Sequence, residues 1–159
     1  MHHFVKESRI AASPQEVFAF HESPGAFERL VPPWEKVKVV EPPKSLQPGS
    51  RVVLKTWVGP LPMLWVAEHT EYEPARMFAD RQVRGPFAHW YHRHFFLDDG
   101  QGGTLLRDEV DYLPPLGRLG DFLGGRYVES KLQRMFDHRH KVTKQIVESG
   151  QFPKANQLP

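Results

Sequence analysis

The chain has 159 residues, of which 40% are hydrophobic and 12% aromatic, so it can bury the core of one domain and is not intrinsically disordered. It has no cysteine, which excludes disulfides, thiolate zinc sites and a cysteine nucleophile. The 21 Lys and Arg against 19 Asp and Glu leave a formal charge of +2, too balanced to predict nucleic acid as the main partner.

No signal peptide and no membrane span are expected. The N-terminus lacks a basic segment followed by an apolar one. The most apolar window, residues 58–67, is interrupted by Pro60 and Pro62 and is much shorter than the roughly 20 apolar residues of a bilayer span. We therefore expect a soluble, cytoplasmic protein, and the sequence leaves its oligomeric state open.

The N-terminal part of the chain predicts one strand and two short helices. Residues 4–12 alternate loosely and predict the strand. A capping box formed by Ser13 and Glu16 predicts a helix over residues 14–21. A second short helix is expected to end at Leu30, before a pair of prolines.

Period-two alternation and turn residues then predict six further strands. Neighbouring strands joined by such short turns should be antiparallel. The six predicted strands cover residues 36–39, 51–58, 63–72, 77–84, 87–97 and 104–113.

The last third of the chain returns to the apolar period of a helix. The spacing predicts one amphipathic helix over residues 120–149, with Gly150 as its C-cap. The fold class is therefore α+β: a curved antiparallel sheet of about seven strands wrapped around a long C-terminal helix, with two short helices between the first two strands. Residues 1–150 are expected to form one ligand-binding domain, because the concave space between sheet and helix is a typical ligand site, and residues 151–159 a flexible tail.

The chain resembles the START-like (SRPBCC) superfamily with the helix-grip fold, which includes plant pollen-allergen proteins and polyketide cyclase/dehydrase proteins. The resemblance covers about residues 3–149 and is strongest to bacterial cyclase/dehydrase-like, ligand-binding proteins. It is carried by residues 13–18, by Gly85-Pro86-Phe87, and by Trp90, His92, His94, Phe96, Thr104, Asp108, Val110, Tyr112 and Pro114. The fold does not decide the function, because the superfamily includes lipid carriers, hormone receptors, aromatic cyclases and chaperone activators.

The predicted hairpin over residues 87–113 carries the polar groups of most interest. If Leu97 pairs with Leu105 across the glycine-rich turn, then His94 lies opposite Asp108. The same register places Arg93 opposite Glu109 on the other face, where opposite charges are favourable. A shift of one pairing step would place His94 opposite Val110 and Arg93 opposite Asp111, which is also tolerable. The face with His94 is therefore expected to point towards the cavity.

Three interpretations of the pair His94 and Asp108 stay open. It is a satisfied structural hydrogen bond, or it holds a polar group of a ligand, or it acts as an acid–base pair in catalysis. His92, His94 and Asp108 also supply the ligand types of a metal triad. Because no cysteine or His-Glu-x-x-His motif supports zinc, we expect no metal and no other cofactor, although an inward-facing His69 would favour a metal.

The candidate ligand-binding residues are the aromatic, aliphatic and polar side chains expected on the inner face of the sheet. They are Trp65, His69, Phe78, Asp80, Gln82, Trp90, His92, His94, Phe96, Asp108, Val110 and Tyr112. The resemblance implies that Asp80 and Gln82 are polar pocket groups; the alternative is that residues 77–84 form an exposed edge strand with protective charges.

Two other segments lead to structural expectations. The glycines at positions 117, 120, 124 and 125 let the chain bend over the mouth of the pocket and so form a gate. Residues 137–141 are a basic stretch of the long helix and are expected to be a solvated face; a ribosome or RNA contact is the weaker alternative, because the charged stretch is short and not interleaved with aromatics.

These features predict that the protein binds a hydrophobic small molecule, such as a lipid, a polyketide-like compound or an aromatic. The alternatives are a cyclase or dehydratase that uses His94 and Asp108, and a protein- or ribosome-interaction module that acts through the long helix.

Overall fold

The computed structural model describes residues 1–114 and 117–152, and of residues 117–124 it describes the backbone only. The elements are β1 (His2–Ile10), α1 (Pro14–Glu22), α2 (Ala26–Leu30), β2 (Lys38–Glu41), β3 (Arg51–Val58), β4 (Leu61–Glu73), β5 (Met77–Arg84), β6 (His89–Asp98), β7 (Thr104–Leu113) and α3 (Gly117–Glu148). Their order agrees with the prediction, although α3 begins one turn earlier than expected. None of the described helices has the length and apolar character to cross a membrane.

Local signals account for the start of α1. Glu16 N–H donates to Ser13 Oγ at 3.3 Å, and Ser13 N–H donates to Glu16 Oε2 at 2.8 Å. This is the predicted capping box, which satisfies two backbone donors at the helix N-terminus. It places α1 directly after β1, so that Phe18 and Phe20 are buried against the sheet and α3.

The seven strands form one antiparallel sheet in the order β1-β7-β6-β5-β4-β3-β2, curved around α3 as in the helix-grip fold. The strand β5 lies in the middle of the sheet, so the alternative that residues 77–84 form an exposed edge strand is wrong. The strand β2 lies at one edge of the sheet, and of its residues only Val39 is half-buried.

The β6–β7 hairpin has the predicted register. Leu97 pairs with Leu105, and His94 pairs with Asp108. On the outer face, Arg93 Nη2 lies 3.2 Å from Glu109 Oε2 and 2.7 Å from Asp111 Oδ2. The charges on that face are thus paired with one another, and the face that carries Trp90, His92, His94 and Asp108 points to the interior.

The interior consists of two apolar clusters separated by a polar layer. One cluster includes Phe18, Phe20, Phe78, Phe96 and Leu106, and the other includes Phe4, Trp90, Val110, Tyr112 and Phe136. Between them, β5, β6, β7 and α3 each change from apolar to ionisable side chains on their inward faces. We call this layer the polar belt, and it consists of Asp80, His92, His94, Asp108 and His140.

The predicted gate and tail stay predictions. Gly117 and Gly120 lie in the first turn of α3, but the side chains of residues 117–124, like residues 115–116 before them, are outside the described part of the chain. Of the predicted tail, residues 153–159 also lie outside it.

Candidate functional site

Asp108 on β7 is the centre of the polar belt. Its Oδ1 accepts a hydrogen bond from His92 Nε2 at 2.8 Å and lies 2.7 Å from His94 Nδ1. Its Oδ2 accepts a hydrogen bond from His140 Nε2 at 2.6 Å. One carboxylate thus binds three imidazoles from β6 and α3, and the pairing of His94 with Asp108 predicted from the register is present.

His140 corrects the expectation that residues 137–141 form a solvated face. Its side chain is 3% exposed, and its Nδ1 lies 2.8 Å from Ser8 Oγ on β1. It follows Leu132 and Phe136 at four-residue steps along the buried side of α3. The four-residue spacing is present in the sequence, but the charged neighbours of His140 led to the prediction of a solvated face.

Arg139 also departs from the solvated interpretation. Its guanidinium lies 5.6 Å from the ring centroid of Phe136 and 5.9 Å from that of Phe27. Its Nε is buried without a hydrogen-bond partner, and burial lowers the pKa of Arg139. The aromatic faces on both sides compensate in part for the lost hydration.

Asp80 on β5 closes the belt on the other side of the histidines. Its Oδ2 lies 3.5 Å from His92 Nδ1 and 3.6 Å from His94 Nε2. The alternation of β5 therefore places Asp80 on the inward face, as the resemblance implied. The two imidazoles lie between two carboxylates, with their ring centroids 3.7 Å apart.

Charge is stabilised inside the belt because each ionised group has partners of opposite sign. Burial raises the pKa of Asp108, but the charge of His94 and the hydrogen bonds from His140 and His92 outweigh it and hold this pKa well below its usual range. Burial likewise raises the pKa of Asp80, and the hydrogen bonds from His92 and His94 outweigh it, so the pKa is lowered. Burial lowers the pKa of His92, but its bonds to Asp108 and Asp80 raise it above the usual value.

The belt is accessible on one side only. The side chains of His92, Asp108 and His140 are 3–5% exposed, whereas those of His94 and Asp80 are 12% and 16% exposed. Phe78 stacks on His94 with ring centroids 4.0 Å apart and so restricts its orientation. A molecule or ion that reaches the belt therefore meets His94 and Asp80 first.

Two of the predicted polar pocket groups have local partners. Gln82 donates from Nε2 to Phe87 O at 2.7 Å and accepts from Phe87 N–H at 3.2 Å, so it closes the β5–β6 turn. His69 is buried and inward-facing, and its Nδ1 donates to Ser50 O at 3.3 Å. Burial lowers the pKa of His69, which keeps this ring neutral.

The predicted aromatic and aliphatic residues divide between the two apolar clusters. Phe78 and Phe96 lie in one cluster and Trp90, Val110 and Tyr112 in the other. Trp65 packs edge-to-face on Trp90, with ring centroids 5.1 Å apart. All of these side chains lie on the inner face of the sheet, as predicted.

An apolar surface on the inner face extends from Trp65 to the tip of the β3–β4 hairpin. Leu54 pairs with Trp65 and Val58 with Leu61, and alternation places these side chains and Met63 on the face that carries Trp65. Although inward-facing, Val58, Leu61 and Met63 are 47%, 69% and 36% exposed. We call Leu54, Val58, Leu61, Met63 and Trp65 the open strip.

His21 on α1 was not predicted from the sequence. It donates from Nδ1 to Val17 O at 2.8 Å, and its ring contacts Phe96 at a centroid distance of 5.0 Å. Burial lowers the pKa of His21 to about 4. A neutral imidazole thus lies beside the belt, 6.3 Å from the His94 ring.

The sequence profile of the polyketide cyclase / dehydrase and lipid transport family matches residues 10–136, which include four of the five residues of the polar belt. The chain belongs to this family. No curated protein sequence matches the chain.

Solved structures share the fold at low sequence identity. An aromatase/cyclase from Streptomyces sp. R1128 is 19% identical, with 94% of each chain covered and a TM-score of 0.72. A protein from Thermus thermophilus is 17% identical, with 94% of this chain and 99% of the other covered and a TM-score of 0.71. Norcoclaurine synthase from Thalictrum flavum is 10% identical, with 94% and 96% covered and a TM-score of 0.70. At these identities the likeness concerns the fold alone.

Asp108→Asn is expected to lower the free energy of unfolding by about 3 kcal/mol, because it removes the charge that three buried imidazoles share. Chemical denaturation measures the loss. Asp111→Asn on the outer face of the same strand is the matched control, and it should cost less than about 1 kcal/mol because its ion pair is partly exposed. Equal losses in both variants would contradict the central role of Asp108.

His21 is expected to make the protein less stable as the pH falls from 7 to 5. In this interval the unfolded state takes up a proton at the usual His pKa of 6.5, whereas folded His21, with a pKa of about 4, does not. His94, Asp108 and His140 act electrostatically on this ring. Its share of the lost unfolding free energy is about 1–2 kcal/mol.

The variant His21→Phe keeps an aromatic ring and removes the titration. Its free energy of unfolding, measured by denaturation at several pH values, should fall less steeply between pH 7 and 5 than that of the wild type. His89→Phe, at the exposed end of β6, should keep the wild-type slope. An unchanged slope in His21→Phe would show that other groups cause the pH dependence.

Proposed function

We propose that the protein binds a hydrophobic small molecule between the sheet and α3, with the apolar part on the open strip and a polar group at His94 and Asp80. The observation that carries this proposal is the one-sided access to the polar belt, next to an inward-facing apolar surface that is still exposed. An apolar surface lined up with a few converging polar groups is typical of small-molecule sites.

The open strip supplies the binding free energy in this proposal. Burial of apolar surface stabilises a complex by about 25 cal/mol per Å². Val58, Leu61 and Met63 have much of their surface left to bury, and the half-buried Trp65, supported by the buried Trp90, adds an aromatic ring deeper in the sheet. A lipid chain or an aromatic ring system suits such a surface, because neither needs hydrogen bonds along its length.

The polar edge of the belt supplies orientation. His94 is held by its contact with Asp108 on one side and by the stacked Phe78 ring on the other, so its Nε2 has a defined direction. Asp80 accepts hydrogen bonds, and His94 donates or accepts one according to its protonation. A hydroxyl or carbonyl group of the ligand would find a matched partner at this edge.

The open strip is tested with a charge placed on one face or the other of β4. Met63→Glu points inward and should weaken the binding of the apolar dye 1-anilinonaphthalene-8-sulfonate at least about tenfold, because the dye would bury an unpaired charge. Leu64→Glu is the matched control: it adds the same charge at the next residue, which is 39% exposed and faces outward, and should leave the affinity unchanged.

Fluorescence titration measures both affinities, and mass spectrometry of the denatured wild-type protein identifies any molecule that is purified with it. Saturable dye binding that Met63→Glu alone weakens would support the proposal. Absence of saturable binding, or equal weakening by Leu64→Glu, would reject it.

The second candidate function is a cyclase or dehydratase reaction in which His94 moves a proton. The observation that favours it is the 2.7 Å contact between His94 Nδ1 and Asp108 Oδ1, which fixes the tautomer and leaves Nε2 as the group that faces a substrate. The family description includes cyclases and dehydrases, and one structural neighbour is an aromatase/cyclase. In this reaction Nε2 would remove a proton next to a carbonyl and return it to the leaving hydroxyl.

Turnover of poly-β-ketone analogues tests the enzymatic alternative. His94→Gln should lower kcat by about 10²–10⁴ if His94 is the general base, while Gln82→Ala, which alters only the β5–β6 turn, should retain most of the activity. The pH–rate profile should lose its acidic limb in His94→Gln, because that limb reports protonation of the general base. Equal rates in His94→Gln and the wild type would exclude this role.

A further inference from the structure

Donor atoms of Asp80, His92 and His94 converge on one point of the polar belt. One carboxylate oxygen of Asp80 lies 3.5 Å from His92 Nδ1 and 3.6 Å from His94 Nε2, and the three residues offer donor atoms within 4.8 Å of one another. Both contacts are longer than the usual N–H···O hydrogen bond of about 2.7–3.2 Å, so a hydrogen bond at either position is weak. They agree with the separation of about 3.4 Å between two ligands of a tetrahedral zinc ion, each about 2.1 Å from the metal.

Asp108 determines which nitrogens point at Asp80. It accepts from His92 Nε2, and its 2.7 Å distance to His94 Nδ1 requires a proton between the two atoms. The second nitrogens, His92 Nδ1 and His94 Nε2, therefore face Asp80. When a metal ion binds, it displaces any proton on these two nitrogens, and their lone pairs become ligands.

We propose that Asp80, His92 and His94 bind one divalent transition-metal ion, with Zn²⁺ as the best fit. Two imidazoles and one carboxylate are common zinc ligands, and three protein ligands leave a fourth position for water or another molecule. This position faces the accessible side of the belt, where Asp80 and His94 are 16% and 12% exposed. The inference goes beyond the proposed function and does not depend on it, because the ion binds without an organic ligand; in the metal-bound protein, the polar group of a ligand would meet the ion instead of His94 and Asp80.

The surroundings have the features of a prepared metal site. Asp108 binds the second nitrogen of both imidazoles, as outer carboxylates do around metal-bound histidines to orient the rings. His140, itself in contact with Ser8, holds the other oxygen of Asp108. The charge also balances, because the two carboxylates Asp80 and Asp108 neutralise a divalent ion.

The site differs from the triad considered in the sequence. There the carboxylate beside His92 and His94 was Asp108, and no metal was expected. In the structure Asp108 binds the outer nitrogens, and Asp80 from the neighbouring strand completes the donor set. His69, directly opposite Asp80 in the sheet, faces inward but is bonded to Ser50 and is not among the three ligands.

Calorimetric titration of the EDTA-treated full chain with Zn²⁺ at pH 7.5 tests the proposal. The wild type should bind one Zn²⁺ per chain. Asp80→Asn and His94→Gln should each weaken binding by at least about 100-fold, and Asp108→Asn, which changes an outer group, by about 10–100-fold. His89→Gln on the exposed end of β6, and the double variant His2→Gln/His3→Gln, should bind as the wild type does.

Co²⁺ provides a measurement that does not depend on variants. Bound to the wild type in tetrahedral geometry, it should give intense visible absorption bands that Zn²⁺ displaces, and circular dichroism should show that each variant is folded. No Zn²⁺ binding by the wild type, weak octahedral Co²⁺ bands, or wild-type affinity in folded Asp80→Asn and His94→Gln would each overturn the proposal. Loss of binding in His2→Gln/His3→Gln would place the ion at the N-terminus and overturn it as well.

Discussion

The buried carboxylate of Asp108 is the constraint on which the rest of the interior depends. A lone carboxylate in an apolar core would be protonated or would unfold the structure, because the loss of hydration costs several kcal/mol. Asp108 is instead bound by His92, His94 and His140. Since His140 lies on α3 and the other two on β6, this set of bonds fixes both the rotation and the axial position of α3 against the sheet.

The belt also determines how the interior is divided. Hydrophobic packing alone is tolerant of shifts between a helix and a sheet, but the bonds around Asp108 are directional and allow one register. The apolar cluster around Phe18 lies on one side of the belt, closed by α1. On the other side, the apolar surface continues from Trp90 through Trp65 to the open strip.

Much of this arrangement follows from the sequence. Period-two alternation and the glycine-rich turn favoured the register that brings His94 to Asp108, although a register shifted by one pairing step was also tolerable, and the structure has the favoured one. Asp80 stayed undecided because β5 carries charged or polar residues on both faces, and only its pairing with β6, where Asp80 lies opposite His92, shows which face is inside. The buried position of His140 was not predicted, because a histidine among charged residues of a helix suggests an exposed side chain. Its partner lies on a strand, and no pattern within the helix reveals that partner.

The distances in the belt are the part that no sequence pattern contains. Side-chain rotamers determine whether two imidazoles and a carboxylate lie at hydrogen-bond or metal-ligand separation. Phe78 and Asp108 restrict the rotamer of His94 from opposite sides. Buried ion pairs are often less stabilising than apolar residues of the same volume. Five ionisable groups between two phenylalanine-containing clusters therefore stabilise the fold less than apolar side chains of the same volume would. The exposure of Asp80 and His94 on one side of the belt favours a role in binding or chemistry over a purely structural one.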